Sequence, residues 1–598
     1  MQNQRNVILA VVLTGLLLIG WEAAMRWFYP QADVKPQAAA SAPAAQADKP
    51  KPTREGGLQS PADIALEKKD LAAELAAGNR LPIDAPGIKG SINLKGGLVD
   101  DVTLVRHRET VDRKSPPVRL FSPAGTPAQH FAQIGWVGEG VATPDAGTVW
   151  TADAAKLTPQ TPVTLRWTNS SGQTFSIRYA IDADYMITAT QAVANTGPAP
   201  IVVKPFALVS RTDKTASIDT WQLHSGPIGA VDGTVTFDNN YSTVSEAPGQ
   251  LVPLKGATNW IGFTDIYWLS ALIPDAGAKA EGAFRAIGPG LYRADLIFPN
   301  VSIAPGKQQT QTVRLFAGAK ENSVLERYEA AGVANFSLSI DWGWFRWFEK
   351  PIFWLLDSLF KLVKNFGVAI ILLTLIVRGV MFPIAQRQFA SMAAMRALQP
   401  KVKAVQERYK DDKQKQQQEI MELYKREKVN PLAGCLPIFL QIPVFFALYK
   451  VLVIAIEMRH QPFVLWIKDL SAPDPAHVLN LFGLLPFDPP GFLGIGVLAI
   501  LLGITMWLQF KLQPAAMDPA QQQIFAFMPW IMMFVMAPFA AGLLIYWITS
   551  NVLTIAQQKY LYSRHPQLKA QAEKDQQNID RAAARDEKVA SARKPKAR

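Results

Sequence analysis

Long apolar runs that carry almost no charge recur along this chain, separated by stretches of ordinary polarity. The first run, Val7–Trp21, is uncharged, and charge-poor runs return over residues 365–560. Residues 491–510 contain no charged residue, and residues 365–385 contain one, Arg378. About 20 consecutive apolar residues form a helix long enough to cross a bilayer. The pattern therefore predicts an α-helical polytopic membrane protein with a large polar region after its first span.

The longest uncharged run, Ile524–Gln558, is too long for one span, because its 35 helical residues would measure about 52 Å. Pro538 and Gly542 interrupt this run, and Asp518-Pro519 suits a helix start upstream of it. The resulting six predicted spans are residues 1–28, 365–385, 431–457, 491–512, 524–540 and 541–561. The last five of these spans form the helical core.

The first span has a length and flanks that suit either a cleaved signal peptide or an uncleaved anchor. A small-residue stretch at 38–45 offers weak cleavage-like sites, but it begins well beyond the apolar run. This spacing favours an N-terminal anchor at residues 1–28.

Charges in the loops predict the orientation of the helices. Segment 384–430 holds eleven Lys and Arg residues and the tail 562–598 holds ten, whereas segment 457–490 holds two. Because basic loops stay in the cytoplasm, we expect the two basic segments inside and residues 458–490 outside. Three spans must then separate 458–490 from the tail, which requires the division at Pro538. Both termini are therefore predicted to be cytoplasmic.

The polar region after the first span is predicted to contain a tether, a β-domain and a surface helix. Residues 29–60 are rich in Ala and Pro without a hydrophobic period, which predicts a disordered linker. Within 61–335 apolar residues recur at every second position, as in Phe175–Ile181, which predicts a large all-β sandwich. Residues 336–364 combine aromatic residues with charges and predict an amphipathic helix along the membrane interface.

The cytoplasmic segment 386–430 has apolar residues at helical spacing and predicts a hairpin of two helices, divided at Asp411-Asp412. A solvated coiled coil and a docking surface for a partner explain it equally well. Met392 and Met395 lie on the apolar seam and favour adaptable contacts. The connection at 513–523 is a predicted cytoplasmic loop.

Composition argues against several kinds of catalysis. There is one cysteine, Cys435, the six histidines are not at ligand spacing, and no phosphate-binding loop or nucleophile elbow occurs. We therefore expect a protein that is not an enzyme and that needs no metal or cofactor. Its net charge is +12 at only 18% charged residues, and the two basic cytoplasmic segments together hold 21 of the 61 Lys and Arg residues. Anionic lipids and ribosomal RNA are the expected partners of such segments.

Arg378 is the most informative single residue, because it lies about 20 Å from the outer end of its span. A charge at such a depth costs at least about 2.5–3.5 kcal/mol. Other polar residues interrupt the predicted spans, and those singled out are Thr374, Gln441, Thr505, Gln509, Thr549, Ser550, Asn551 and Thr554. If their faces converge, they form a hydrated cavity with one fixed positive charge. Alternatively, Arg378 reaches the cytoplasmic headgroups and the other residues form interhelical hydrogen bonds.

Several motifs, taken together, resemble the bacterial YidC family of membrane protein insertases. They occur in family order across about 340–562: residues 376–383, 395–401, 428–435, 437–449, 466–471 and 518–522, and Ser550-Asn551. The anchor and the large β-domain, with Leu94-Lys-Gly-Gly97, are similar to the Gram-negative branch. The resemblance implies an inner-membrane insertase with a periplasmic domain.

The resemblance also implies a hydrophilic groove that is open to the cytoplasm and lipid, closed toward the periplasm, and centred on Arg378. The predicted substrate-binding residues are Arg378, Thr374, Gln441, Thr505, Trp547 and Asn551. Trp547 stands where some relatives carry tyrosine, so a stacking role is kept and a hydroxyl is lost.

Nascent membrane proteins are the implied substrates, and the Sec translocon is an implied partner. The ribosome and the signal recognition receptor are implied partners of the hairpin, the 513–523 loop and the tail 562–598. The predicted contacts there are Met392, Met395, Asp518 and Gln522.

Two other classes of protein fit the sequence without the resemblance. A polytopic transporter or channel is disfavoured by the lack of an evident inverted repeat and by only two intramembrane charges, Arg378 and Lys450. An anchored periplasmic binding or hydrolytic protein would place the activity in the β-domain instead.

Overall fold

The computed structural model describes residues 70–112, 114–215, 223–343, 345–410, 412–427, 436–482, 485, 494–512 and 519–564. These residues all belong to one compact unit, Thr53–Arg598. The predicted anchor 1–28, the linker 29–60 and nearly all of the tail 562–598 lie outside the described residues.

Nineteen strands among the described residues form the β-domain. In chain order they are β1 Arg80–Asp84, β2 Ile88–Asn93, β3 Leu98–Arg108, β4 Pro117–Phe121, β5 His130–Glu139, β6 Thr151–Ala152, β7 Val163–Thr168, β8 Gln173–Ile181, β9 Met186–Asn195, β10 Ile201–Thr212, β11 Gly226–Val231, β12 Thr234–Thr236, β13 Leu251–Pro253, β14 Thr258–Thr264, β15 Trp268–Pro274, β16 Glu281–Gly288, β17 Leu291–Ile297, β18 Val301–Ile303 and β19 Gln308–Ala319.

The strands form two antiparallel sheets. One has the order β1-β2-β3-β5-β10-β17-β16-β13, with β4 paired to β3 and β18 paired to β10. The other has the order β12-β11-β14-β15-β19-β9-β8-β7-β6. In β8, Phe175, Ile177 and Tyr179 are buried and alternate with more exposed residues, because successive side chains of a strand point to opposite faces. The predicted β-sandwich is confirmed.

A buried charge network crosses the β-domain core. The guanidinium of Arg211 lies 3.2 and 3.4 Å from the two carboxylate oxygens of Asp265, and Ser225 donates a further hydrogen bond to that carboxylate at 3.1 Å. Lys320 Nζ donates to Thr264 Oγ1 at 3.0 Å. Burial lowers the pKa of Lys320 to about 8, against the opposing attraction of Asp265 and Asp341. The Asp265 carboxylate therefore stabilises the charges of two buried cations, Arg211 and Lys320.

Eleven α-helices are present among the described residues. They are α1 Leu71–Ala76, α2 Tyr241–Glu246, α3 Asn322–Ala330, α4 Arg346–Val363, α5 Phe366–Ala397, α6 Gln399–Arg408, α7 Lys413–Arg426, α8 Leu436–Ile454, α9 Val497–Leu512, α10 Pro519–Met536 and α11 Ala541–Arg564. Phe366–Gln386 is long and apolar enough to cross a membrane, and shorter apolar helices cover Gln441–Ile454, Val497–Leu512 and Ala526–Met536. The count of six spans stays a prediction.

Helix α4 is amphipathic, as expected for the 336–364 region, although the helix itself begins at Arg346. Its buried face includes Ile352 and Leu356, whereas Trp347 and Trp354 are exposed. The helix ends where Lys364 adopts a left-handed conformation, and the Asn365 side chain then accepts a hydrogen bond from the Val368 amide at 3.1 Å. This cap starts α5 as a separate helix.

The break predicted at Pro538–Gly542 is present, since α10 ends at Met536 and α11 begins at Ala541. The amides of Ala541 and Gly542 donate to the carbonyls of Ala472 and Leu470 at 2.8 and 2.9 Å. A side chain at position 542 would meet Leu452 and the Leu470 carbonyl, so this close approach favours glycine. The connection after α8 thus fixes the start of α11.

The predicted hairpin consists of α6 and α7, which are joined by a salt bridge of 2.6 Å between Lys401 and Glu427. Helix α5 continues to Ala397, well past the predicted end of the span at 385, so the helix extends beyond the apolar segment.

The segment that follows α8 is joined to the β-domain by hydrogen bonds of Glu457 and Arg459. Arg459 donates to the carbonyls of Arg108 and Glu109 at 2.8 and 3.1 Å, and its guanidinium lies over the rings of Tyr267 and Trp268. Glu457 accepts a hydrogen bond from the Asn322 amide at 2.9 Å. The two domains therefore share an interface around residues 457–459.

Candidate functional site

Helix α11 presents a polar face to the neighbouring helices. Tyr546, Ser550, Asn551 and Thr554 are spaced by four, one and three residues, which places them along one side of a helix. The first three are almost fully buried. Because buried polar groups need hydrogen-bond partners, we expect polar side chains opposite this face on the adjacent helices α5, α8 and α9.

Arg378 of α5 is held against this face by Ser550. Its Nε lies 3.2 Å from Ser550 Oγ, and one terminal nitrogen also donates to the same oxygen. No carboxylate among the described residues lies within ion-pair distance of the guanidinium. In the described part of the chain, the positive charge is therefore held by a hydroxyl and not neutralised by a carboxylate.

Two further pairs join the polar face to α8 and α9. The Gln441 side-chain amide of α8 donates to the Tyr546 hydroxyl. The Asn551 amide donates to Thr505 Oγ1 of α9 at 3.2 Å, while that hydroxyl donates back to carbonyls of its own helix. Hydrogen bonds thus join four helices, α5, α8, α9 and α11, within an otherwise apolar core. Polar side chains commonly link membrane helices in this way.

Unpartnered polar atoms continue the groove along α9 and α11. Gln509 lies one turn beyond Thr505, and Gln558 lies one turn beyond Thr554. Their Oε1 atoms, and Nε2 of Gln557, are buried without a partner among the described residues. Buried polar atoms of this kind are usually satisfied by water. The arrangement suits a hydrated groove.

Two predicted groove residues have other surroundings than expected. The Thr374 hydroxyl is buried and donates its hydrogen bond to the Ile370 carbonyl of its own helix at 2.6 Å, so that bond does not cross the groove. Trp547 is half-buried and packs edge-to-face on Phe445 of α8, with ring centres 5.2 Å apart. It is an aromatic neighbour of the polar cluster.

The structure joins the other predicted residues in pairs. Arg378 and Asn551 lie on neighbouring helices at the shared polar face, with Gln441 and Thr505 completing it. Tyr546 was missed, although its place one turn before Ser550 is a usable signal. Met392 and Met395 belong to α5, and Gln522 belongs to α10. The structure does not describe the side chains of these three residues, and Asp518 lies outside the described residues.

These features define a class: a helical membrane protein with a positively charged polar groove between its helices and a large β-sandwich at one end of them. Comparison with known proteins identifies the family. Residues 358–569 match the family model of the 60Kd inner membrane protein, and residues 80–355 match that of the YidC periplasmic domain.

Two curated relatives cover nearly the whole chain. The membrane protein insertase YidC of Zymomonas mobilis is 46% identical, over 94% of this chain and 96% of the relative. That of Bradyrhizobium diazoefficiens is 44% identical, over 94% and 97%. A solved structure of an active YidC insertase with its first transmembrane domain resolved is 18% identical with a TM-score of 0.36, over 82% of this chain and 94% of that one.

The chain belongs to the YidC family of membrane protein insertases. It is an inner-membrane protein that inserts membrane proteins, and its β-sandwich is the periplasmic domain. The insertase interpretation is thus supported over that of a transporter or channel.

Proposed function

We propose that the polar groove around Arg378 receives the polar or acidic segment that a nascent membrane protein must pass to the periplasm. The groove is formed by Arg378, Gln441, Thr505, Trp547 and Asn551, and Thr374 supports it from the same helix. Tyr546 and Ser550 join this set. The segment enters from the cytoplasm while the adjoining apolar part of the substrate moves into lipid.

The observation that supports this proposal most directly is the state of Arg378. The Ser550 hydroxyl holds its guanidinium, and no carboxylate of the described residues forms an ion pair with it. Its charge therefore remains available to a substrate. An acidic residue in a membrane span costs about 2.5–3.5 kcal/mol. Two opposite charges 4 Å apart attract by about 4 kcal/mol at an effective dielectric constant of 20. The two magnitudes are similar, so one arginine is sufficient to offset the cost of one carboxylate.

Apolar burial supplies the drive for the next step. Residues on the free faces of α5 and α11, such as Ile376, Val380 and Val552, are exposed in the structure. These faces offer a route from the groove to acyl chains, and transfer of an apolar segment into lipid is favourable without nucleotide hydrolysis. Trp547 and Phe445 form the aromatic wall between groove and route.

The membrane arrangement and the partners belong to the same proposal. The protein has six spans with both termini in the cytoplasm, so the basic segments 386–430 and 562–598 face the ribosome, the signal recognition receptor and anionic lipids. The 513–523 loop faces the same side. The protein acts alone or with the Sec translocon. It acts without covalent catalysis, metal or cofactor.

Reconstituted vesicles test this function against transport. We expect purified protein to insert a small membrane protein with an acidic periplasmic tail, and to release no trapped solute. Deletion of residues 61–335 separates the groove from the β-domain, and insertion should survive it. Solute release without insertion would favour a channel, and loss of insertion on deletion would place the activity in the β-domain.

Ser550→Ala is expected to slow insertion of such a substrate at least about ten-fold, because it removes the hydroxyl that accepts both hydrogen bonds from the Arg378 guanidinium, and one hydrogen bond to a charged group contributes roughly 1.5 kcal/mol or more. Thr554→Ala is the matched control, since its hydroxyl donates only to the Ser550 carbonyl of its own helix, at 2.7 Å. Initial rates of protease protection in vesicles measure both variants. Equal rates for Ser550→Ala and the unmodified protein would show that the hydroxyl does not position Arg378.

A further inference from the structure

We propose that the turn at residues 477–482, on the connection between α8 and α9, enters the periplasmic leaflet of the bilayer and contacts acyl chains. The inference rests on the proposed function, in which this connection faces the periplasm. The proposed partner of the turn is therefore lipid and not the water of the periplasm.

The turn exposes four neighbouring apolar side chains. Val478, Leu479, Leu481 and Phe482 are 40, 50, 52 and 58% exposed. His477 is the only ionisable residue from 475 to 482. Single exposed apolar residues are ordinary on a protein surface, but a contiguous patch indicates a partner.

The backbone of the turn is closed by its own hydrogen bonds. The Phe482 amide donates to the His477 carbonyl at 2.8 Å, and the Leu481 amide donates to the Val478 carbonyl at 3.1 Å. This pair of bonds is that of a Schellman turn, whose left-handed position is usually glycine. Internal closure leaves fewer backbone groups in need of water, which suits a segment that approaches lipid.

Leucine occupies the left-handed position of this turn. Leu481 has a φ of 50° and Phe482 a φ of 61°. A bulky side chain is strained in this conformation, whereas glycine is not. Because Leu481 is half exposed, packing within the protein does not compensate for the strain. The side chain at this position thus serves a contact outside the fold.

The turn continues the exposed apolar surface of α9. The Val478 amide donates to the Ile495 carbonyl at 3.1 Å, and the Val497 amide donates to the Ala476 carbonyl at 3.2 Å. Leu501, Ile504 and Leu508 form an exposed stripe along α9 from that end. This stripe faces lipid under the proposed function, and the turn adjoins it.

The length of α9 places the turn near the acyl chains. The helix has 16 residues and is therefore about 24 Å long, with Lys511 in its last turn at the opposite end. The hydrocarbon core of a bilayer is about 30 Å thick. When Lys511 lies at the cytoplasmic boundary, the start of α9 is about 21 Å away from it, so this end and the attached turn lie within the periplasmic leaflet.

Spin labelling of the full-length protein tests the contact. Cys435→Ser provides a cysteine-free background, and nitroxides are attached after Phe482→Cys or, as the matched control, Lys468→Cys. Lys468 is exposed on the same connection. The proteins are reconstituted in vesicles of phosphatidylethanolamine and phosphatidylglycerol, and collision with oxygen and with a water-soluble nickel chelate is measured.

We expect the label at 482 to favour oxygen and to lie about 5–10 Å below the phosphates, the depth of an interfacial element, and the label at 468 to favour the nickel chelate. Equal access of nickel to both labels would overturn the proposal. Protection of the 482 label from both reagents would also overturn it, because the occupant would then be protein.

Leu481→Gly provides a second measurement. We expect it to leave the thermal midpoint in detergent unchanged or higher, and to move the label at 482 toward water. A lower midpoint with an unchanged label depth would show that Leu481 serves the fold, which contradicts the proposal. Substrate insertion is measured in the same vesicles, so a failure of the insertase mechanism is distinguished from a failure of the lipid contact.

Discussion

Replacement of Arg378 by alanine is expected to slow insertion of a substrate with an acidic periplasmic tail about a hundred-fold. The groove would lose the one charge that offsets the roughly 2.5–3.5 kcal/mol cost of the substrate carboxylate, and 1.4 kcal/mol corresponds to a factor of ten. Protease protection of the tail in vesicles measures the rate.

Two controls make the result for Arg378 specific. Arg378→Lys is expected to keep much of the activity, because attraction of a carboxylate requires a charge and not a bidentate fork. A substrate whose tail has its acidic residues replaced by asparagine should lose its dependence on Arg378. Unchanged insertion of the acidic substrate by Arg378→Ala would contradict the proposed role of this residue.

Asp265→Asn is expected to destabilise the periplasmic domain by about 3–5 kcal/mol, because it removes the charge of the carboxylate that is paired with the buried Arg211. Lys320 would lose a nearby anion as well, and burial already lowers its pKa to about 8. A loss of this size lowers the thermal midpoint of a domain of this length by roughly 10 °C. The β-sheet circular dichroism of the full-length protein in detergent measures the midpoint.

An exposed ion pair of the same domain provides the control for Asp265. Asp84 lies 2.6 Å from Lys156, and both side chains are largely open to solvent. Asp84→Asn should leave the midpoint unchanged, because solvent screens such pairs. A fall of less than about 2 °C for Asp265→Asn would show that Arg211 finds another partner or water.

Local pattern predicted much of this fold, for physical reasons that individual elements illustrate. The alternation in Phe175–Ile181 follows from a strand with one buried face, and Pro538 with Gly542 marks a reversal because neither favours a continuous helix. Strand order was not predictable, since the pairing of β10 with β5 and β17 depends on contacts between distant residues. The interface of Arg459 with Trp268 was unpredictable for the same reason.

The sequence predicted most residues of the candidate site but not which of them contact each other. Arg378 and Asn551 are recognisable because polar groups inside apolar runs are costly and rare. The pairing of Arg378 with Ser550 depends on how far each helix is rotated about its axis, which a single sequence does not determine. The same uncertainty explains Thr374, whose hydroxyl satisfies its own helix instead of facing the groove.

Helix α8 is linked to the periplasmic domain near one end and to the polar groove near the other. Glu457 and Arg459, which follow the last residue of α8, contact the domain, while Gln441, about 20 Å along the helix axis from Ile454, contacts Tyr546 in the groove. A tilt of about 3° at that end would displace Gln441 by roughly 1 Å and so change the geometry of that hydrogen bond. A movement of the periplasmic domain that tilts α8 would therefore also displace the groove end of this helix.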